Sequence, residues 1–167
     1  MHYRKGDLAK AKTCYTRTWE IYSDESASSM STVAALYKVG CVNLALGDAE
    51  SAWYAPHSNF SILHILLNNC SRSLKKALEL SELNRNVKGD GGEVARVKRK
   101  YADALRLRKA DDDEALAKKF HEEAEKERKI LQKGNYADLP DEERSYNLLV
   151  AVYYRGTELG SYETCQI

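Results

Sequence analysis

The residues best equipped for chemistry in this chain are its acids, cysteines, histidines and one glycine-rich stretch, and their spacing argues against a reaction centre. Asp111-Asp112-Asp113-Glu114 is the densest acidic run, and carboxylates at that density can hold a cation. No glycine-punctuated calcium-loop pattern accompanies them, so the run is expected to cap a helix and load its first turn with negative charge, where the macrodipole favours it. Cys14, Cys41, Cys70 and Cys165 include no Cys-x-x-Cys pair, and His2, His57, His64 and His121 stand isolated. Such thiols belong to a reducing compartment and are expected to be buried or incidental, not metal ligands. Gly89-Asp90-Gly91-Gly92 is glycine-rich like a phosphate loop. It follows a helix and lacks the Lys-Ser/Thr that holds phosphate and magnesium, so it reads as a turn. With no Gly-x-Ser-x-Gly and no His-Glu-x-x-His either, the expectation is a non-enzymatic protein that needs no cofactor and no metal.

Charge narrows the partners. Lysine and arginine number 26 against 25 aspartates and glutamates, leaving a net charge of +1. Affinity for nucleic acid rests on phosphate neutralisation, so this balance argues against a nucleic-acid partner. The two signs are intermixed, as on solvated helix faces. The start of the chain lacks the apolar core of a signal peptide, and no apolar run approaches membrane-spanning length, so neither secretion nor a membrane partner is expected.

The elements that position these residues read as helices. Only two prolines and nine glycines interrupt a chain rich in Ala, Leu, Lys and Glu. Asp7 to Tyr22 repeats Leu8, Ala11, Tyr15, Trp19 and Tyr22 at steps of three and four. Ser23 to Ser31 is a polar connection, with Ser31 or Thr32 placed to cap a helix over Val33 to Leu46. Glu93 to Lys109 and Ala115 to Gln132 form a further antiparallel pair. Pro140 opens a last helix carrying Tyr146, Leu149, Val150 and Tyr153, and residues 156–167 are expected to be a flexible tail.

Gly6, Ala11, Tyr15 and Thr18 place small and large packing residues after a turn glycine, and the same order recurs in fragments. Gly47-Asp48-Ala49-Glu50-Ser51-Ala52, Leu74 to Leu80, Val94 to Ala102, and Leu139-Pro140-Asp141-Glu142 before Ser145-Tyr146 carry the likeness. The chain resembles tetratricopeptide-repeat proteins, most closely the large cytosolic arrays of filamentous fungi. The resemblance implies an all-α fold over residues 1–155: antiparallel helix pairs in a right-handed solenoid of about three units, the terminal helix being a cap or half-repeat. It implies a cytoplasmic or nuclear scaffold that binds a peptide or partner helix in a concave groove lined by the first helices of each unit. A reading from another class makes the chain the C-terminal sensor region of a larger signalling NTPase. Against the repeat register Met1 falls in the middle of a first helix, so an N-terminally truncated or misannotated gene product is expected.

The family's groove-facing positions fall on Ala34, Tyr37, Cys41, Leu44 and Ala45 in the second unit. In the third they fall on Arg96, Arg99, Asp103, Arg106 and Leu107, and in the fourth on Arg144, Asn147, Ala151, Tyr154 and Arg155. The resulting surface is basic and aromatic, which suits an acidic peptide with apolar anchors. Arg96 and Lys100 match cations of the family's carboxylate clamp. Lys38 departs from it, standing where the clamp has Asn.

One stretch breaks the pattern. The helix that starts at Gly47-Asp48 regains its phase only at Leu74, and removing 18 residues from the stretch 53–71 restores it. Trp53-Tyr54 must be encoded with an internal GTAY, a donor-like start, and Cys70-Ser71 can be encoded with an acceptor-like end. Residues 53–70 are therefore either a translated intron or a genuine surface insertion. A translated intron is expected to find no place in the array. An insertion is expected to pack Phe60, Ile62, Leu63, Ile65 and Leu66 against it.

Overall fold

In a computed structural model, residues 5–26, 29–53, 60–88, 91–131 and 141–150 are described. They form six helices and no strand among the described residues, so the chain is all-α. The helices are α1 (Lys5–Ser26), α2 (Met30–Trp53), α3 (Phe60–Lys88), α4 (Gly92–Arg108), α5 (Asp113–Leu131) and α6 (Glu143–Asn147). From α1 to α5 each helix packs on the next, and α6 packs on α4.

The stripe of α1 is buried over its first turns, Leu8 and Ala11 packing against Val42 and Leu46 of α2 with Tyr15 alongside, while Tyr22 at its end is 37% exposed. The junction to α2 differs from expectation by one turn. Ser29, not Ser31 or Thr32, caps α2, its hydroxyl accepting the Thr32 N–H at 3.1 Å. Thr32 works backwards instead. Its hydroxyl lies 2.9 Å from the carbonyl oxygen of Ser26 and 3.2 Å from that of Tyr22, where it donates to the last turn of α1.

The largest departure is at Gly47. No turn forms there, and α2 runs on to Trp53. Gly47 is a contact glycine: a Cβ built on it would lie 3.2 Å from Leu67 Cδ2 and 3.7 Å from Leu63 Cδ1 of α3. Gly40, two turns earlier, lies so close to α3 that a Cβ would stand 2.6 Å from both Cδ2 and Cγ of Leu74. The two contacts fix α2 and α3 as antiparallel, Gly47 opposite Leu67 and Gly40 opposite Leu74. The Cys70 thiol adds a bond to the Gly40 carbonyl at 3.3 Å.

Residues 60–70 of the suspect stretch and Leu74 to Leu80 thus belong to one 29-residue helix, while Trp53 ends α2. Leu67, Cys70, Leu74, Ala77 and Leu78 line its buried face. Leu63 and Leu66 are half-buried against the core, while Ile65 is 57% exposed. The side chains of Phe60 and Ile62, and residues 54–59 entirely, lie outside the described residues, as do residues 151–167.

α4 is the central helix, buried against α3 on one side and α5 on the other. Val94, Val97, Ala102, Ala104 and Leu105 are all fully buried, and Tyr101 meets the Phe120 ring of α5 with centroids 5.2 Å apart. α4 ends at Lys109, the one non-glycine residue with positive φ among those described (φ 55°). Its N–H closes on the Leu105 carbonyl at 3.1 Å. The acidic run then behaves as a helix start: Asp113 accepts the Ala110 N–H at 2.9 Å and the Arg108 Nε–H at 2.8 Å. Arg108 also donates to Ser71 of α3 at 3.2 Å.

One helical stretch, Met30–Gly47, has a mean hydropathy of 1.3 over 18 residues and passes for a membrane span by composition. From the sequence no apolar run of spanning length is expected. Some 78% of the stretch is buried against neighbouring helices, as in the core helix of a globular fold.

Candidate functional site

A cleft of about 90 Å³ opens where α2, α4 and α6 approach one another, lined by Tyr37, Arg96, Arg99, Lys100, Asp103 and Tyr146. Arg96, Arg99, Lys100 and Asp103 recur at steps of one, three and four along α4, so one face of that helix carries them all. Tyr37 comes from α2 and Tyr146 from α6.

Arg96 is the floor. Its side chain is fully buried, with Nη2 2.5 Å from Glu93 Oε1 one turn earlier. The guanidinium carbon stands 4.2 Å from the centre of the Tyr37 ring, and Nη1 reaches Asn147 Oδ1 of α6 at 3.5 Å. Burial alone would push the guanidinium pKa down. Glu93, helped by Tyr37 and Cys41, holds it above its ordinary value. The group is permanently charged and locked in place.

Arg99 is the rim. It pairs with Asp103 on α4 and with Asp141 beside α6, its Nε lying 3.3 Å from Asp141 Oδ1. Burial opposes the charge, but the two aspartates outweigh it and raise its pKa. Arg106 is half-exposed and 3.8 Å from Asp103.

Tyr146 closes the far wall. It is 1% exposed and packs on Ala95 and Ala124, two alanines with no exposure at all. Its hydroxyl lies 2.9 Å from Asp141 Oδ1 and 3.1 Å from Glu125 Oε2. Burial, then the two carboxylates, drive its pKa upward, so it is held as a neutral donor. Asp141 also receives His121 Nε2 at 3.2 Å, and Glu125 is gripped by Arg128 at 2.7 and 2.6 Å.

Five of the residues placed at the groove from the sequence therefore meet at one cleft: Tyr37, Arg96, Arg99, Lys100 and Asp103. Asn147 stands at its edge. Cys41 and Leu44 are buried at 6% exposure in the α2–α3–α4 core and offer no open surface. The Arg144 side chain and the whole of Tyr154 and Arg155 lie outside the described residues.

The expected basic surface is largely neutralised, with Arg96 answered by Glu93 and Arg99 by Asp103 and Asp141. Sequence reasoning assigned no role to Glu93 or Glu125. Spacing could have found both, since Glu93–Arg96 and Glu125–Arg128 are three apart and Arg99–Asp103 four apart. No signal within the sequence brings Asp141 to Arg99 or Tyr146 to Glu125, because those contacts depend on where α6 docks. Among the described residues no group of three or more His, Cys, Asp and Glu side chains is placed to hold a metal.

No protein family matches this chain, and no curated protein or solved structure matches it either.

Proposed function

We propose that the chain is a helical-repeat interaction module of the tetratricopeptide type, working as a non-enzymatic scaffold. In this reading α2, α4 and α6 are first helices of successive units, and a partner peptide or helix lies across them. One observation carries it: the cleft takes its lining from α2, α4 and α6, the three helices that the repeat register assigns to the concave side, and from neither α3 nor α5. The partner carries acidic groups, which exchange places with Asp103 and Asp141 around Arg99 and engage Lys100.

The test is fluorescence anisotropy with labelled acidic peptides over a range of salt. Binding is expected to weaken as salt rises, because exposed arginine–carboxylate attraction is screened. Arg99→Glu with Lys100→Glu is expected to abolish it, whereas Lys118→Glu with Lys119→Glu on the exposed side of α5 is expected to leave it intact. Arg96 is unsuitable for charge reversal, since it would set two buried carboxylates side by side. Equal losses from both pairs of reversals remove the cleft as the binding face.

A further inference from the structure

The cleft between α2, α4 and α6 is small, and its cations are already answered. A volume of about 90 Å³ is well below the roughly 300–1,000 Å³ of pockets that enclose a whole small molecule, so the cleft admits the head of one side chain. Its floor does not move. Arg96 is fully buried between Glu93 and the Tyr37 ring, which leaves Arg99, Lys100 and Asp103 of the lining to meet an occupant.

Arg99 is the contested cation, because Asp103 and Asp141 both pair with it. An incoming carboxylate that displaces one of them replaces like with like. The charge and the acceptor oxygens at Arg99 stay the same, so the exchange gains little. A phosphoryl group differs: it carries about −1.5 to −2 charges at neutral pH and three strong acceptor oxygens. It brings more than the carboxylate it removes, enough to meet the Arg99 fork and the Lys100 ammonium together.

The exchange is also cheap on the protein's side. Asp103 has a second arginine in reach, Arg106 at 3.8 Å on the next turn of the same helix, so giving up Arg99 does not strand its charge. Asp141 is anchored independently, by the Tyr146 hydroxyl at 2.9 Å and His121 Nε2 at 3.2 Å. It stays where it is.

We infer, building on the concave reading, that the partner's anchoring group is a phosphorylated side chain, which displaces Asp103 from Arg99 towards Arg106 and bridges Arg99 to Lys100. Asp103 is then an internal stand-in for the ligand, and it sets the charge that a partner must exceed.

The experiment uses the full chain and a fluorescein-labelled peptide of alternating glutamate and alanine, in which one central position is alanine, glutamate or phosphoserine, with binding read by anisotropy. The phosphoserine form is expected to bind at least about tenfold more tightly than the glutamate form, the equivalent of one further charge-assisted hydrogen bond. Asp103→Asn is expected to tighten it severalfold, because the competing charge is gone. Arg99→Gln is expected to erase the preference for phosphoserine, and Lys118→Glu with Lys119→Glu to leave it unchanged. Should Arg99→Gln fail to fold by circular dichroism, Lys100→Gln serves in its place. Inorganic phosphate is expected to compete only at far higher concentration than the peptide, and equal potency overturns a peptide-borne group. Equal affinity for the glutamate and phosphoserine forms overturns the phosphoryl assignment while leaving an acidic partner in place, and weaker binding by Asp103→Asn overturns the exchange. If no form binds, the concave reading falls with it.

Discussion

The Arg96 guanidinium lies flat enough on Tyr37 to bring its carbon 4.2 Å from the ring centre, so the charge of one helix is stored against the aromatic of another. Both side chains are 1% exposed. α2 and α4 are not sequence neighbours, and this stack ties them across the cleft floor.

The buried pair makes a prediction about stability. Glu93→Ala leaves a buried guanidinium without its carboxylate and is expected to cost about 3–5 kcal/mol in urea unfolding. Glu93→Leu combined with Arg96→Met removes both charges and is expected to recover most of that loss. If the double variant is no more stable than the single, the pair is not the source of the cost.

Acid should loosen the α5–α6 junction in a defined window. Arg128 foremost, then Lys129 and Tyr146, hold Glu125 down to about 2 against the opposing effect of burial. The folded value lies below the unfolded value of about 4.3, so the stabilisation is complete above that pH. It is lost as pH falls toward 2, with an order of magnitude of up to about 3 kcal/mol. Glu125→Gln is expected to flatten the acid limb of a stability-versus-pH curve between those values, and an unchanged limb counts against the assignment.

Two glycines of α2 should respond unequally to alanine. Gly40→Ala drives a methyl into Leu74 at 2.6 Å and is expected to destabilise by about 1–3 kcal/mol. At Gly47 the nearest atom is the end of Leu67 at 3.2 Å, and the helix propensity gained, about 1 kcal/mol, offsets that crowding. Thermal melts of the two variants decide this, and a Gly47→Ala loss as large as that of Gly40→Ala contradicts it.

The stretch 53–70 has two readings that differ in sign. With Leu67 and Cys70 buried beneath α2, a chain lacking these 18 residues loses part of the α2–α3 core. It is expected to unfold at least about 3 kcal/mol more easily. A translated intron predicts the reverse, a shortened chain that melts higher because a repeat helix becomes continuous. Sequencing the mature transcript supplies the independent check.

The fold was readable where periodicity alone governs. The stripes of α1, α4 and α5 place those helices to within a few residues, because their buried faces follow the 3.6-residue period until the last turns of α1 and α5, where Tyr22, Ile130 and Leu131 are exposed. Reading failed at Gly47, where a glycine that serves close helix approach has the same one-letter signature as one that serves a turn. The cleft was half readable. Tyr37, Arg96, Arg99, Lys100 and Asp103 fall together from the register. Their charge balance does not, because Asp141 reaches Arg99 across 42 residues of sequence.

Lys98 lies on the opposite side of α4 from none of its neighbours' acids: its ammonium is 2.9 Å from Glu123, 3.1 Å from Glu127 and 3.9 Å from Glu82, while Glu127 also takes Arg85 at 3.0 Å. With Arg108 joining Ser71 and Asp113 at the far end of α4, α3, α4 and α5 are riveted together at two places along their length. Under mechanical tension applied through the chain ends, α6 and α1 are expected to peel away first at low force. The three riveted helices then yield together in a single larger step, so the molecule would act as a tether with a stiff middle and two compliant ends.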